Sequence, residues 1–210
     1  MLQLSEIPWS FDLPRPNWSV IRRWVGEHIA SDARPTAWDE AIFQWLEALN
    51  SALDGGFQVL SSEHFHFFLP VDYEHARFVA EFTEEIYDQI QIRLAEVARQ
   101  NWPARLPILL LPGSEIYYEY LTRYYPDGEY GGSGGVCIAD NDFAQIVIHG
   151  VEPGQIQPTI AHELTLAVVA HLDLPSWLEE GLTQWIEDDV RSRWSRFELT
   201  AKAAKEMREY

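Results

Sequence analysis

The chain of 210 residues has one cysteine, Cys137, few cations and no long apolar run. A single cysteine excludes an internal disulfide and is a poor basis for a thiolate metal site, so it gives no sign of an oxidising compartment. Lys and Arg number 15 against 33 Asp and Glu, a formal net charge of −18. An acidic surface of that size is repelled by a nucleic-acid backbone or an anionic membrane, and neither is expected as a partner. The charge suits solubility, or a basic protein partner. No window approaches the roughly 18 consecutive apolar residues of a membrane span. Met1–Pro8 also lacks the basic start and apolar run of a signal peptide. A soluble, cytoplasmic protein is the expectation.

What the chain does have is aromatic bulk: nine Trp, nine Tyr and ten Phe, enough to argue for a packed globule. Pro8, Pro14 and Pro16 make residues 1–17 an extended arm, packed by Trp9 and Phe11. Val20, Ile21, Trp24 and Val25 fall at helical spacing from Ser19 to Ala30. A second helix begins after Pro35, with Thr36 as N-cap and Ala37, Ala41, Trp45, Leu46 and Leu49 on one side. Asp54-Gly55-Gly56 is a turn, and Phe57 to Leu69 reads as one strand ending at Pro70. Phe78, Phe82, Ile86, Ile90 and Leu94 mark a long helix from about Tyr73 to Gln100. Ile108–Leu111, between two prolines, is a short strand buried on both faces. Ser114 to Tyr125 reads as a tyrosine-rich helix.

The glycine-rich stretch Gly128–Gly135 lacks the Gly-Lys-Ser/Thr ending of a phosphate loop, and a strand follows it where a helix should. It reads as a loop. Val136–Ala139 and Ala144–His149 form a hairpin across Asp140-Asn141-Asp142. A helix over Gln157–Leu172, a turn at Asp173-Leu174-Pro175, a helix over Ser176–Asp188 and a helical tail from Arg191 complete the chain. The pattern predicts an α+β fold, with a small mixed sheet whose antiparallel edge hairpin packs on the Gln157–Leu172 helix.

That helix carries His162-Glu163-Leu164-Thr165-Leu166. Two histidines four residues apart lie on one helical face and can share a metal, with a glutamate between them to activate a bound water. His162 and Glu163 occupy two of these positions, and Leu166 stands where the second histidine is needed. Pro175-Ser176-Trp177-Leu178-Glu179-Glu180-Gly181 follows, with Glu180 placed to fold back as a third ligand. Taken alone, each pair is an ordinary helix-surface or helix-start feature; their joint spacing lifts them.

Residues from about Val136 to Glu187 resemble a gluzincin, the zinc-peptidase class with a HExxH helix and a glutamate third ligand, and the compact minigluzincin-like members most of all. The resemblance implies a zincin-like fold and divides the chain into an N-terminal arm and helices (1–56), the gluzincin-like domain (57–190) and a C-terminal helix (191–210). It also implies zinc held by His162 and Glu180, Glu163 as the catalytic base, and a peptide or protein as substrate or ligand. Because a catalytic zinc site needs three protein ligands and an open position, Leu166 predicts a chain that is metal-poor and inactive or impaired. Two alternatives stand beside this: a working zinc peptidase whose metal shell is completed by an outside group, and a protein-interaction module.

No other residue is well placed to supply the missing ligand. His171 lies about 180° around the helix from His162, and Thr165 is a poor ligand. His149 ends a strand near the pocket and reads as a hydrogen-bonding residue. His64 and His66 share one strand face, which suits cross-strand packing better than a metal pair. His28 and His75 read as solvated. Among Tyr117, Tyr118, Tyr120, Tyr124, Tyr125 and Tyr130, helix and loop packing is expected, and none is assigned a catalytic role.

Overall fold

The computed structural model describes residues 13–98, 102–128, 134–140 and 143–206. The Trp9 and Phe11 anchors, Tyr130 and the tip of the hairpin turn lie outside them. Two helices, α1 (Trp18–His28) and α2 (Arg34–Ala52), lead into β1 (Phe57–Ser61) and β2 (Phe65–Pro70). Then come α3 (Ala76–Arg93), β3 (Leu106–Leu111), α4 (Ser114–Thr122), β4 (Gly135–Asp140) and β5 (Phe143–His149). The chain ends in α5 (Pro153–Val169), a 3-10 turn (Ala170–Leu172) and α6 (Ser176–Glu206). Among the described residues no helix is long and apolar enough to cross a membrane.

The expected mixture of helices and a mixed sheet is present. Five strands run in the order β1-β2-β3-β5-β4, parallel at the centre and antiparallel at both margins. Phe57–Leu69 is not one strand but a hairpin. The polar run Ser62-Glu63-His64 breaks it, and β1 folds back so that Ser61 opposes His66. The long helix is shorter than its apolar pattern suggests, spanning Ala76–Arg93. Phe78, expected on its buried face, lies at the exposed margin, while Val79, Phe82, Ile86 and Ile90 are buried.

Strand alternation divides the apolar residues between two layers. Phe65, Phe67, Ile108, Leu110, Ile146 and Ile148 face α3, α5 and α6. Phe68, Leu109, Leu111, Phe143 and Val147 face α1, α2 and α4. Every residue of β3 is buried, as its unbroken apolar run predicts. The N-terminal helices therefore share a core with the sheet: Trp45 is wholly buried, and its indole N–H donates to the Pro14 carbonyl at 3.0 Å. Helix α5 begins at Pro153, where the fixed φ of proline suits a first helical position. Its buried stripe of Ile156, Ile160, Leu164, Ala167 and Val168 lies on the sheet. In α6 the helix runs unbroken from Ser176 through the segment read as a separate tail.

Candidate functional site

Helix α5 aligns Thr159 and Glu163, four residues apart, towards β4. The close approach depends on glycine. A Cβ on Gly135 would lie 2.6 Å from Cγ2 of Thr159 and 3.1 Å from Cγ of Glu163, closer than carbon atoms pack. Strand β4 is one of the two edge strands. The His149 N–H donates to the Gly134 carbonyl at 2.8 Å, so Gly134, Val136 and Ile138 turn their backbone groups towards β5. The alternate residues turn theirs outwards, and the outward N–H of Cys137 hydrogen-bonds the Glu163 carboxylate.

Glu163 is 6 % exposed. Burial pushes its carboxyl up to about 7; His162 and the Cys137 N–H pull it down, and Glu180 pushes it further up. Desolvation, with Glu163 and Glu179 nearby, holds the half-buried Cys137 thiol above the usual thiol range, which disfavours the nucleophilic thiolate. His162 and Glu180 thus both act on Glu163 through space.

The histidine itself faces a different carboxylate. His162 Nδ1 lies 3.5 Å from Oε2 of Glu187, an ion-pair distance. Glu187 is seven residues beyond Glu180, two helical turns along the same face of α6. Sequence reasoning missed it, although the repeat of Glu180, Thr183 and Glu187 on one face was visible. Glu180 is exposed and Leu166 is partly buried. Among the described residues no group of three His, Cys, Asp or Glu side chains is placed to hold a metal ion. As they stand, the residues do not fit the zinc site that the motif implies.

The remaining candidates go elsewhere. His149 packs its ring 5.2 Å from that of Tyr117, away from Glu163. His171 is exposed in the 3-10 turn. Tyr117 and Tyr120 are buried in the layer of α1, α2 and α4. His64 and His66 do not share a strand face as a pair: His64 precedes β2 and bonds Glu84 at 2.7 Å, while His66 pairs across the hairpin with Ser61 at 2.7 Å. His66 Nε2 lies 3.4 Å from Asp39. Ser61, His66 and Asp39 have the residue types of a nucleophile relay. Asp39, however, is tied to Arg105, receiving both its side chain and its backbone N–H, and Arg105 Nε donates to the Ser62 carbonyl at 2.8 Å. These bonds make the cluster a joint between α2, the hairpin and the start of β3.

Compared with known proteins, the chain matches no family model, no curated protein and no solved structure.

Proposed function

We propose that the chain is a gluzincin-like protein that does not carry out zinc hydrolysis with its own residues and works by binding a peptide or protein. The observation that carries this reading is the state of Glu163. In a peptidase this carboxylate activates a water beside the metal. Here it is bonded to the N–H of Cys137 on the neighbouring strand, with Leu166 in the position of a ligand. A glutamate so engaged holds β4 against α5. The excess of acidic side chains, net −18, favours a basic partner.

One observation favours the working-enzyme reading. A metal-bound histidine usually donates its other ring N–H to a carboxylate, and Glu187 sits at His162 Nδ1, leaving Nε2 for a metal. In that reading His162 and Glu180 would hold zinc once a third ligand arrived, and zinc would polarise a scissile carbonyl or bound water.

Zinc stoichiometry by elemental mass spectrometry, on the chain and on Leu166→His side by side, separates the two. About one zinc per chain in the variant alone, the complement of a complete site, supports the binding reading and the gluzincin ancestry together. Zinc in both, with peptide hydrolysis by the unaltered chain, overturns the binding reading. Zinc in neither means that the site has lost more than the ligand at Leu166, and the search moves to binding partners.

A further inference from the structure

Helix α6 is divided by charge. Residues 176–190 hold the acids Glu179, Glu180, Glu187, Asp188 and Asp189 and no cation. Residues 191–206 hold Arg191, Arg193, Arg196, Lys202 and Lys205 against two acids, Glu198 and Glu206. In a chain of net charge −18 this second half is a cationic exception. Both halves belong to one helix of 31 residues, about 46 Å long. Among the described residues, the last side chain that α6 gives to the core is Val190. An unbroken helix cannot fold its basic half back on its acidic half, so each sign is open to a different molecule.

The acidic half also leaves its largest side chains in water. Trp177 is 74 % exposed and Trp185 51 %. With Gly181 between them they follow at four-residue steps, a stripe on the side of α6 away from the buried Ile186 and Val190. Covering two such indoles would be favourable. A Cβ at Gly181 would meet nothing within 4 Å among the described residues, so packing inside the chain does not call for a residue that weakens a helix interior. The close approach of a second helix does. Of the acids, Glu187 and Asp189 are turned to His162 at 3.5 Å and Arg93 at 2.7 Å. Asp188 is exposed beside the stripe and accepts from the Gln184 amide at 3.0 Å. Further along the same face is Ser192, small and exposed, its hydroxyl donating to the Asp189 carbonyl at 2.8 Å.

We propose that α6 pairs antiparallel with α6 of a second copy of this chain, about a two-fold axis near Ser192. Helical spacing carries the outward stripe from Trp185 and Asp188 through Ser192 to Arg196 and Leu199. About that axis each position opposes the one equally far beyond Ser192. Asp188 then meets Arg196 of the second copy, and Trp185 meets Leu199. A two-fold interface makes every contact twice. A parallel pair would set like charges together, and only the antiparallel one lays the acidic half on the basic half. A foreign basic segment would cover one half, whereas a second copy covers both at once. The remaining negative charge of the two bodies repels at longer range, where salt of about 0.1 M screens it beyond roughly 10 Å. The pairing needs neither zinc nor the Glu163 carboxylate, so it is tested apart from the proposed function.

Sedimentation of the full chain over a range of concentrations, in about 0.1 M salt, should show a dimer. Asp188→Arg and Arg196→Asp each set like charges face to face at two places and should raise the dimer Kd about tenfold or more. An equimolar mixture of the two variants restores opposite charges at both contacts and should dimerise like the parent, which also shows that both variants are folded. Trp185→Ala should weaken the dimer at every salt concentration, while the effects of charge reversal fade in about 1 M salt. A chain that stays monomeric, or a dimer that neither reversal weakens, overturns the pairing. Variants that are weak alone and no better mixed overturn the antiparallel register at Ser192. A monomeric chain that captures a short lysine-rich peptide overturns it as well, and assigns the acidic half to a foreign basic partner.

Discussion

Each face of the sheet buries a polar side chain beside the β4–β5 hairpin, and the two are treated differently. On the α5 face Glu163 is an acid in an apolar layer, held by a backbone N–H and crowded by Glu180. On the α1 face Gln145 is a neutral amide whose oxygen accepts from the Tyr120 hydroxyl and whose other partner is the Tyr124 hydroxyl. The acid answers burial by shifting its proton equilibrium, which the amide cannot do. The contrast teaches how to read a buried polar group. A carboxyl shows its discomfort as pH dependence, and an amide must find its partners among the groups buried with it.

The largest expected effect tests whether both layers belong to one folding unit. Trp45→Ala removes a wholly buried indole from the α1–α2 layer and should cost about 3–5 kcal/mol. Because that layer shares the sheet with the Glu163 side, tryptophan fluorescence and far-ultraviolet dichroism should fall in one coincident transition. Two separated transitions would show that the N-terminal helices unfold on their own, and the comparison would then be between two units.

A second test acts on Glu163 alone. Its carboxyl, at about 7 in the folded chain against an ordinary value of 4.5, binds more protons folded than unfolded between those values. Stability therefore falls as pH rises through that window. Glu163→Gln keeps an acceptor for the Cys137 N–H and removes the titration. Relative to the parent, the variant should gain roughly 3 kcal/mol on going from below that window to above it. Denaturant midpoints at the two pH values read this directly. A constant difference would mean that the buried carboxylate ionises without penalty.

The smallest effect belongs to the amide side. Tyr120→Phe strips Gln145 Oε1 of its donor and should cost about 1 kcal/mol. Adding Gln145→Leu removes the stranded oxygen as well, and most of the loss should return, because replacing both partners by apolar groups is nearly neutral. A double variant as unstable as the sum of the single ones would show that Gln145 is held by more than Tyr120.

Local elements with a strong period were legible in the sequence. The apolar run of β3, the hairpin before α5 and the motif helix all stand where expected. The β1–β2 hairpin was not, because aromatic residues on both sides of Ser62–His64 hid the polar break. Nor was the order of the strands, which places β5 between β3 and β4. The spacing of His162, Glu163 and Glu180 brought Glu163 within the electrostatic reach of the other two. Glu187 was hidden because its approach to His162 depends on how α5 and α6 lie against each other, a relation no spacing encodes. Gln145 and Trp18 lay outside every motif. Only their burial, a property of the folded chain, marks them.

Strand β4 lies at the margin of the sheet, where a bare edge offers its backbone to any extended chain, including another copy of itself. Here Gly134 and Gly135 let α5 come close, and the Glu163 carboxylate takes the outward N–H at Cys137. The helix and its glutamate thus cover a backbone group that an incoming strand would otherwise pair with. Were Glu163 to release that N–H, the margin of the sheet would present one more unpaired backbone donor.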